Sequence, residues 1–287
     1  MAFILLHSGP AGDDWLTAWH LEPLLSVLLL GAAIAYWLAF AAARRTGRTG
    51  PPVWWAVSFF AGLGCLAIAL MGPPSHFNGA AFSAHMVQHM LLVQVAAPLL
   101  LLGRPVQVLL RGLPPRTSRA LLRATVGQAP IRLFLAVLVS PIVVTVLFNA
   151  ALLVWHEPKL YEAAIKDPLL HELEHASFFV SALLFWWVLI DPVPRSHRLS
   201  ASAALLVLFA TWMASDLLGA ALTLAGDPLY PYYASMASPW GLTALEDQRL
   251  GGLIMWIGGG GFFAVVMIAI LAVPYLRARR EQTQPAR

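Results

Sequence analysis

Residues 82–105 read FSAHMVQHMLLVQVAAPLLLLGRP. From Phe82 to Gly103 there is no Asp, Glu, Lys or Arg, yet two histidines four residues apart stand near the start. About 20 mostly apolar residues cross a bilayer as a helix, so this stretch is a membrane span with polar ligand-type groups inside it. The whole chain agrees. Of its 287 residues, 59% are hydrophobic and 11% are charged, against roughly 25% charged in soluble domains. A soluble core cannot hide that much apolar surface. The net charge of +4 does not indicate nucleic acid, because the basic residues sit in short loops between apolar runs. The single cysteine, Cys65, lies in an apolar run and excludes an intrachain disulfide or a CxxC site.

Working outward, the sequence predicts an all-α, polytopic membrane protein: a seven-transmembrane-helix bundle forming one integral domain over residues 1–287. The spans fall at about 22–43, 53–72, 80–102, 131–154, 169–190, 200–225 and 250–275. Breakers separate several of them, including Gly50-Pro51-Pro52, Gly72-Pro73-Pro74, Asp191-Pro192 and Asp227-Pro228. The run Gly258 to Gly261 suits close helix approach in lipid, or a kink. Met1 to Asp14 has no basic n-region and contains Asp13 and Asp14, so a cleaved signal peptide is not expected.

Orientation follows from Lys and Arg. Arg44, Arg45, Arg48, Arg104, Arg111, Arg116, Arg119, Arg123, Arg132, Arg195, Arg198, Arg277, Arg279, Arg280 and Arg287 fall in one set of alternate loops and ends. Only Lys159, Lys166 and Arg249 fall in the other. The expected topology therefore has the amino terminus outside and the carboxyl terminus cytoplasmic. The segment Arg116 to Arg123 reads as a short amphipathic helix on the anionic inner leaflet, or as a solvated basic loop.

The nine histidines are sorted by this topology. His197 lies in a cytoplasmic loop. His7, His20, His76, His85, His89, His156, His171 and His175 lie outside or in the outer half of a span. The pairs His85/His89 and His171/His175 are each spaced i, i+4, so both rings share a helix face about 6 Å apart along the axis. The first pair sits roughly 7–14 Å below its outer helix end, the second roughly 3–9 Å, and Asp216 roughly 13 Å below the end of the sixth span. Asp247 precedes the seventh. Ionisable groups inside spans face the bundle interior, and imidazoles converging with a carboxylate are transition-metal ligands. Met86, Met90 and Met213 lie beside these residues; thioether with imidazole favours copper, although a methionine in a span is also ordinary packing. Glu172, Glu174 and Asp247 are candidates for orienting the imidazoles.

Four motifs resemble one family: the stretch from Phe82 to Pro105, WHEPKLYEAA from Trp155, HELEH from His171 and EDQRLGGLIMW from Glu246. They are similar, in the same order and over nearly all of the chain after the first span, to the multi-span CtaG-type cytochrome c oxidase assembly factors. These are distinct from the single-span copper chaperone of the same name. The resemblance implies a bacterial plasma-membrane protein that helps to assemble a haem–copper oxidase, binding copper and supporting its insertion. Its partners would be oxidase subunits or another copper chaperone. His85, His89, His156, His171, His175, Asp216 and Asp247 match the family's polar positions and form the expected metal set, with no catalytic role.

Two other classes are compatible with parts of the pattern. HELEH fits H-E-x-x-H, in which two histidines bind zinc and Glu172 is the general base. Asp216 would then be a third ligand of an intramembrane zinc hydrolase, with His85 and His89 left unexplained. A haem clamped by facing histidines is the other, but i, i+4 pairs place the second histidine one turn away, which suits a small ion better.

Overall fold

The computed structural model describes residues 18–45, 50–190 and 199–283. Expectations concerning Met1 to Asp14, His7, Arg48, the Asp191-Pro192 break, Arg195, His197, Arg198 and Arg287 lie outside those residues. The described residues are mostly helical, with no strand among them; most connections are short, and the longest described one runs from Leu224 to Ala244.

Helix α1 (Pro23–Arg45) is apolar almost all round, with only Tyr36, Phe40 and Ala43 buried. Leu24, Leu28, Ile34 and Leu38 on its other faces are exposed, as expected of a helix bathed in lipid. Helix α2 (Val53–Met71) starts directly after Pro52 and ends at Gly72, whose N–H donates to Ile68 O. A short α3 (Pro73–Phe77) leads into α4 (Phe82–Met90). The chain then widens into a π-helical segment, Leu91–Ala96, before α5 (Ala97–Leu102). Pro98 accounts for that widening, because it has no N–H for the carbonyl of Gln94 one turn back.

Helix α6 (Pro105–Gly112) packs along α1. The basic segment is a helix, α7 (Pro115–Ala124), with none of its residues buried. Next come α8 (Ala129–Leu138), α9 (Pro141–Trp155), α10 (Pro158–Lys166), α11 (Pro168–Ile190) and α12 (Ala201–Leu224). After a 3₁₀ turn at Pro231–Ser235, α13 (Ala244–Leu253) runs through a second π-helical segment, Ile254–Gly259, into α14 (Gly260–Thr283).

The fourth expected span is corrected. Residues 131–154 are not one helix: the chain breaks at Val139 and Ser140, because Pro141 begins a new helix and Ser140 Oγ caps it by accepting from Val143 N at 3.3 Å. Among the described residues, six helices are long and apolar enough to cross a membrane: 23–45, 53–77, 82–112, 168–190, 201–224 and 244–272. Two bent pairs, α7–α8 at 78° and α9–α10 at 77°, bring the candidates to as many as eight.

The bundle is drawn together at glycines. A Cβ on Gly252 would stand 2.5 Å from Thr223 Oγ1 and 2.8 Å from Gly219 O, so α12 and α13 meet backbone to backbone. Within the Gly258–Gly261 run, only Gly259 and Gly260 make close approaches, to Met90 and Gln94 and to Trp212 and Asp216 respectively. Gly252→Ala is expected to destabilise the protein by about 1–3 kcal/mol through overpacking, read as a lowered Tm in detergent. An unchanged Tm would show that the two helices yield easily.

Candidate metal centre

The motif from Trp155 builds a corner. Helix α9 ends at His156, Glu157 caps α10 by accepting from Leu160 N at 2.9 Å, and Pro158 takes the first helical position, where its missing N–H costs nothing. Trp155 Nε1 donates to Ser177 Oγ of α11 at 2.7 Å. The corner turns the His156 ring inward, where it is buried, and sends Tyr161 under α4.

On α4 and α11 the two i, i+4 pairs face each other. Ring centroids are 4.3 Å apart for His85 and His89, 4.2 Å for His171 and His175, 5.1 Å for His85 and His171, and 5.1 Å for His89 and His175. Glu174 joins them from α11: its carboxylate lies 3.8 Å from His85 Nε2 and 3.6 Å from His89 Nε2. His85 and Glu174 are both 0% exposed. Two triads therefore have ligand atoms within 4.8 Å of one another: His85, His171 and His175, and His85, His89 and Glu174.

Hydrogen bonds set the tautomers of two of these imidazoles. Tyr233 OH donates to Asn78 O at 2.9 Å, which leaves Tyr161 OH to donate to Tyr233 OH at 2.8 Å. Tyr161 must then accept from His85 Nδ1–H, 2.8 Å away. Burial pushes the Tyr233 phenol well above its usual range, so this chain keeps its protons. The proton on His85 is thereby fixed at Nδ1, and Nε2 presents a lone pair. His156 is set the same way, its Nδ1 donating to Leu152 O at 2.7 Å.

Most of the atoms left over are ones that a metal would use. Nε2 of His85, His89, His156, His171 and His175, together with both Glu174 oxygens, are buried with no hydrogen-bond partner. A buried carboxylate without donors is strongly unfavourable, and a coordinated cation removes that penalty. The separations of 3.6–3.8 Å exceed a hydrogen bond but approach the roughly 3.4 Å between donors around one ion at about 2.1 Å. Mostly neutral nitrogen donors with one carboxylate suit a transition ion rather than magnesium or calcium.

Of the carboxylates singled out by sequence, Glu174 joins the histidines, whereas Asp216, Asp247 and Glu172 sit elsewhere. Asp216 lies against Gly260, accepting from Trp212 Nε1 at 2.8 Å, and stands outside both triads. Asp247 caps α4: it accepts from Phe82 N at 2.6 Å, from Ser83 N at 3.3 Å, from Ser83 Oγ, and from Trp240 Nε1 at 3.2 Å. Glu172, the base required by a zinc hydrolase, is exposed, whereas Glu174 is buried. Sequence reasoning cast Glu174 only as an orienting partner and omitted Tyr161. The i, i+3, i+4 spacing of His171, Glu174 and His175 held the first signal. The need of a ligating His85 for an acceptor held the second.

Tyr161→Phe keeps the ring and removes the acceptor. It is expected to weaken transition-metal binding by about 10–100-fold while the protein stays folded, as measured by chelator competition. Unchanged affinity would mean that the His85 tautomer is set otherwise.

A family model described as cytochrome c oxidase caa3 assembly factor (Caa3_CtaG) matches residues 3–277. An uncharacterized protein of Mycobacterium bovis is 31% identical over 248 residues, covering 84% of this chain and 37% of that protein. One of Mycobacterium leprae is 28% identical over 270 residues, covering 89% and 39%. The chain thus spans under two fifths of the length of these relatives. No solved structure matches.

Proposed function

The chain belongs to the cytochrome c oxidase caa3 assembly factor family, and on that premise we propose that it binds copper at the histidine cluster and supports its insertion into a haem–copper oxidase. The family supports the assembly role. The copper reading is carried by one observation: five imidazole nitrogens and a carboxylate, all buried and without hydrogen-bond partners, gather at the start of α4 and α11 and the end of α9. The donors are mostly neutral, which suits a cargo that must be released and imposes less charge in lipid than a carboxylate cage.

The asymmetry of Lys and Arg puts the amino terminus outside, the carboxyl terminus in the cytoplasm and the cluster near the outer face of a bacterial plasma membrane. There it is within reach of oxidase subunits or another copper chaperone. The role is non-catalytic, in keeping with the exposed Glu172.

Metal analysis of protein purified after growth in copper and zinc tests the ion. Copper retained by the wild type and bound in smaller amount by His89→Ala and His175→Ala is the expected result; zinc in its place would overturn the copper reading. A deletion strain tests the role. Its oxidase is expected to assemble with copper missing, and normal oxidase activity at limiting copper would falsify the assignment.

A further inference from the structure

Beside the cluster, bordered on α4 by Met86, His89 and Met90, lies a cavity of about 30 Å³. That exceeds the roughly 10–15 Å³ that admits a water-sized sphere. Three thioethers line it, Met86 and Met90 from the third span and Met255 from the last, together with His89 and His156. The remaining wall is largely aromatic and aliphatic, with Phe148, Phe178 and Phe263 among it.

Methionine in a helical bundle normally fills space. Here three methionines border a space that they leave open. Two lining histidines also carry ring nitrogens with nothing to bond: His156 at Nε2, whose lone pair is set by the Nδ1–H bond to Leu152 O, and His89, both of whose ring nitrogens are buried without partners. Two π-helical segments frame the cavity, one after Met90 and one containing Met255. At Gly259, in the second, a Cβ would come within 3.1 Å of Met90 Cε. Glycine thus leaves Met90 its place at the cavity edge.

We propose that this cavity is a second metal site, built from thioethers and imidazole and selective for Cu(I). It rests on the reading of the histidine cluster as a copper site. Thioethers are soft, neutral ligands that favour Cu(I) over zinc or harder ions. The site brings no carboxylate to an apolar wall, so a monovalent ion is tolerated there far better than a divalent one. His89 and His156 are shared between the two places: both Nε2 atoms are among the unpartnered donors of the cluster, and both residues border the cavity, His89 with its Nε2 3.6 Å from Glu174. A Cu(I) ion moving between them exchanges ligands on one side of His89 for ligands on the other, with no change of oxidation state.

The test uses the full chain in detergent, loaded anaerobically with Cu(I) and read by bound stoichiometry and copper K-edge absorption. The wild type is expected to bind two equivalents with a copper–sulfur shell. M86L/M90L/M255L, which nearly conserves volume, is expected to bind one and to lose that shell. The double variant M90L/M255L is expected to weaken the second ion at least tenfold should the triple variant misfold. H171A/H175A is expected to retain the sulfur shell. A wild type without sulfur scattering at two equivalents, or a shell unchanged in the methionine variants, would overturn the second site. One equivalent, lost in H171A/H175A and kept without its methionines, would remove the second site and leave the cluster standing. Sulfur-ligated copper indifferent to both histidines would do the reverse. No binding at all would remove both.

Discussion

His85→Ala is expected to lower copper affinity by at least about 100-fold, more than loss of any other single side chain in the cluster. His85 is the one residue common to both triads. Without it His89 and Glu174 remain as a pair on one side and His171 and His175 as a pair on the other, and neither triad is complete. Removing a partner that only orients a ligand weakens metal binding by about 10–100-fold, and removing the ligand goes further. The variant also removes one of the two hydrogen bonds of the Tyr161 hydroxyl, which in the native protein accepts from His85 Nδ1 and donates to Tyr233; a hydrogen bond lost is worth about 0.5–1.5 kcal/mol. Two readouts separate these effects. Chelator competition reports affinity, and the Tm of metal-free protein reports the lost hydrogen bond. His171→Ala, which breaks one triad, is expected to weaken binding less than His85→Ala. Equal losses from the two variants would show that one triad, built around His171, holds the ion, and full retention of copper by His85→Ala would sink the cluster as a site.

Much of this arrangement was legible in the sequence because it depends on short-range periodicity. An i, i+4 spacing puts His85 with His89 and His171 with His175 on one face, whatever the helix packs against. Hydropathy located the six candidate spans to within a few residues at most ends, since lipid imposes a minimum apolar length. What failed was decided by caps and by helix rotation. The apolar run over 131–154 hides a break, because Ser140 and Pro141 are compatible with hydropathy yet start a new helix. Depth arguments placed Asp216 level with the histidines, but depth says nothing about which way a helix is turned. On α12, Asp216 faces Trp212 and Gly260. Glu172 and Glu174 are two residues apart and equally polar, and only the second shares the face of His171 and His175. Tyr161 became visible only once Pro158 had turned the chain beneath α4.

Asp247→Ala is expected to destabilise the metal-free protein by about 2–3 kcal/mol and to weaken copper binding roughly tenfold as a consequence. Helix α4 begins after Ala81, which has no side chain able to cap it. Its first N–H groups are buried and need an acceptor. Asp247 supplies one from α13, holding Phe82 N and Ser83 N with one carboxylate oxygen and Ser83 Oγ and Trp240 Nε1 with the other. Its negative charge also sits at the positive end of the helix dipole. The capping bonds fix how far α4 is inserted and how it is rotated, and His85 and His89 lie within its first two turns. Removing an N-cap costs about 0.5–2 kcal/mol, and an unmet buried donor adds to that. Asp247→Asn keeps an oxygen acceptor without the charge and is expected to fall between the two. A metal-ligand role for Asp247 makes a different forecast: it concentrates the loss in copper affinity and leaves metal-free protein as stable as the wild type, or more so, because a buried charge has gone. The Tm of the metal-free variants therefore decides between a cap and a ligand, and a wild-type Tm in Asp247→Ala would rule out the cap.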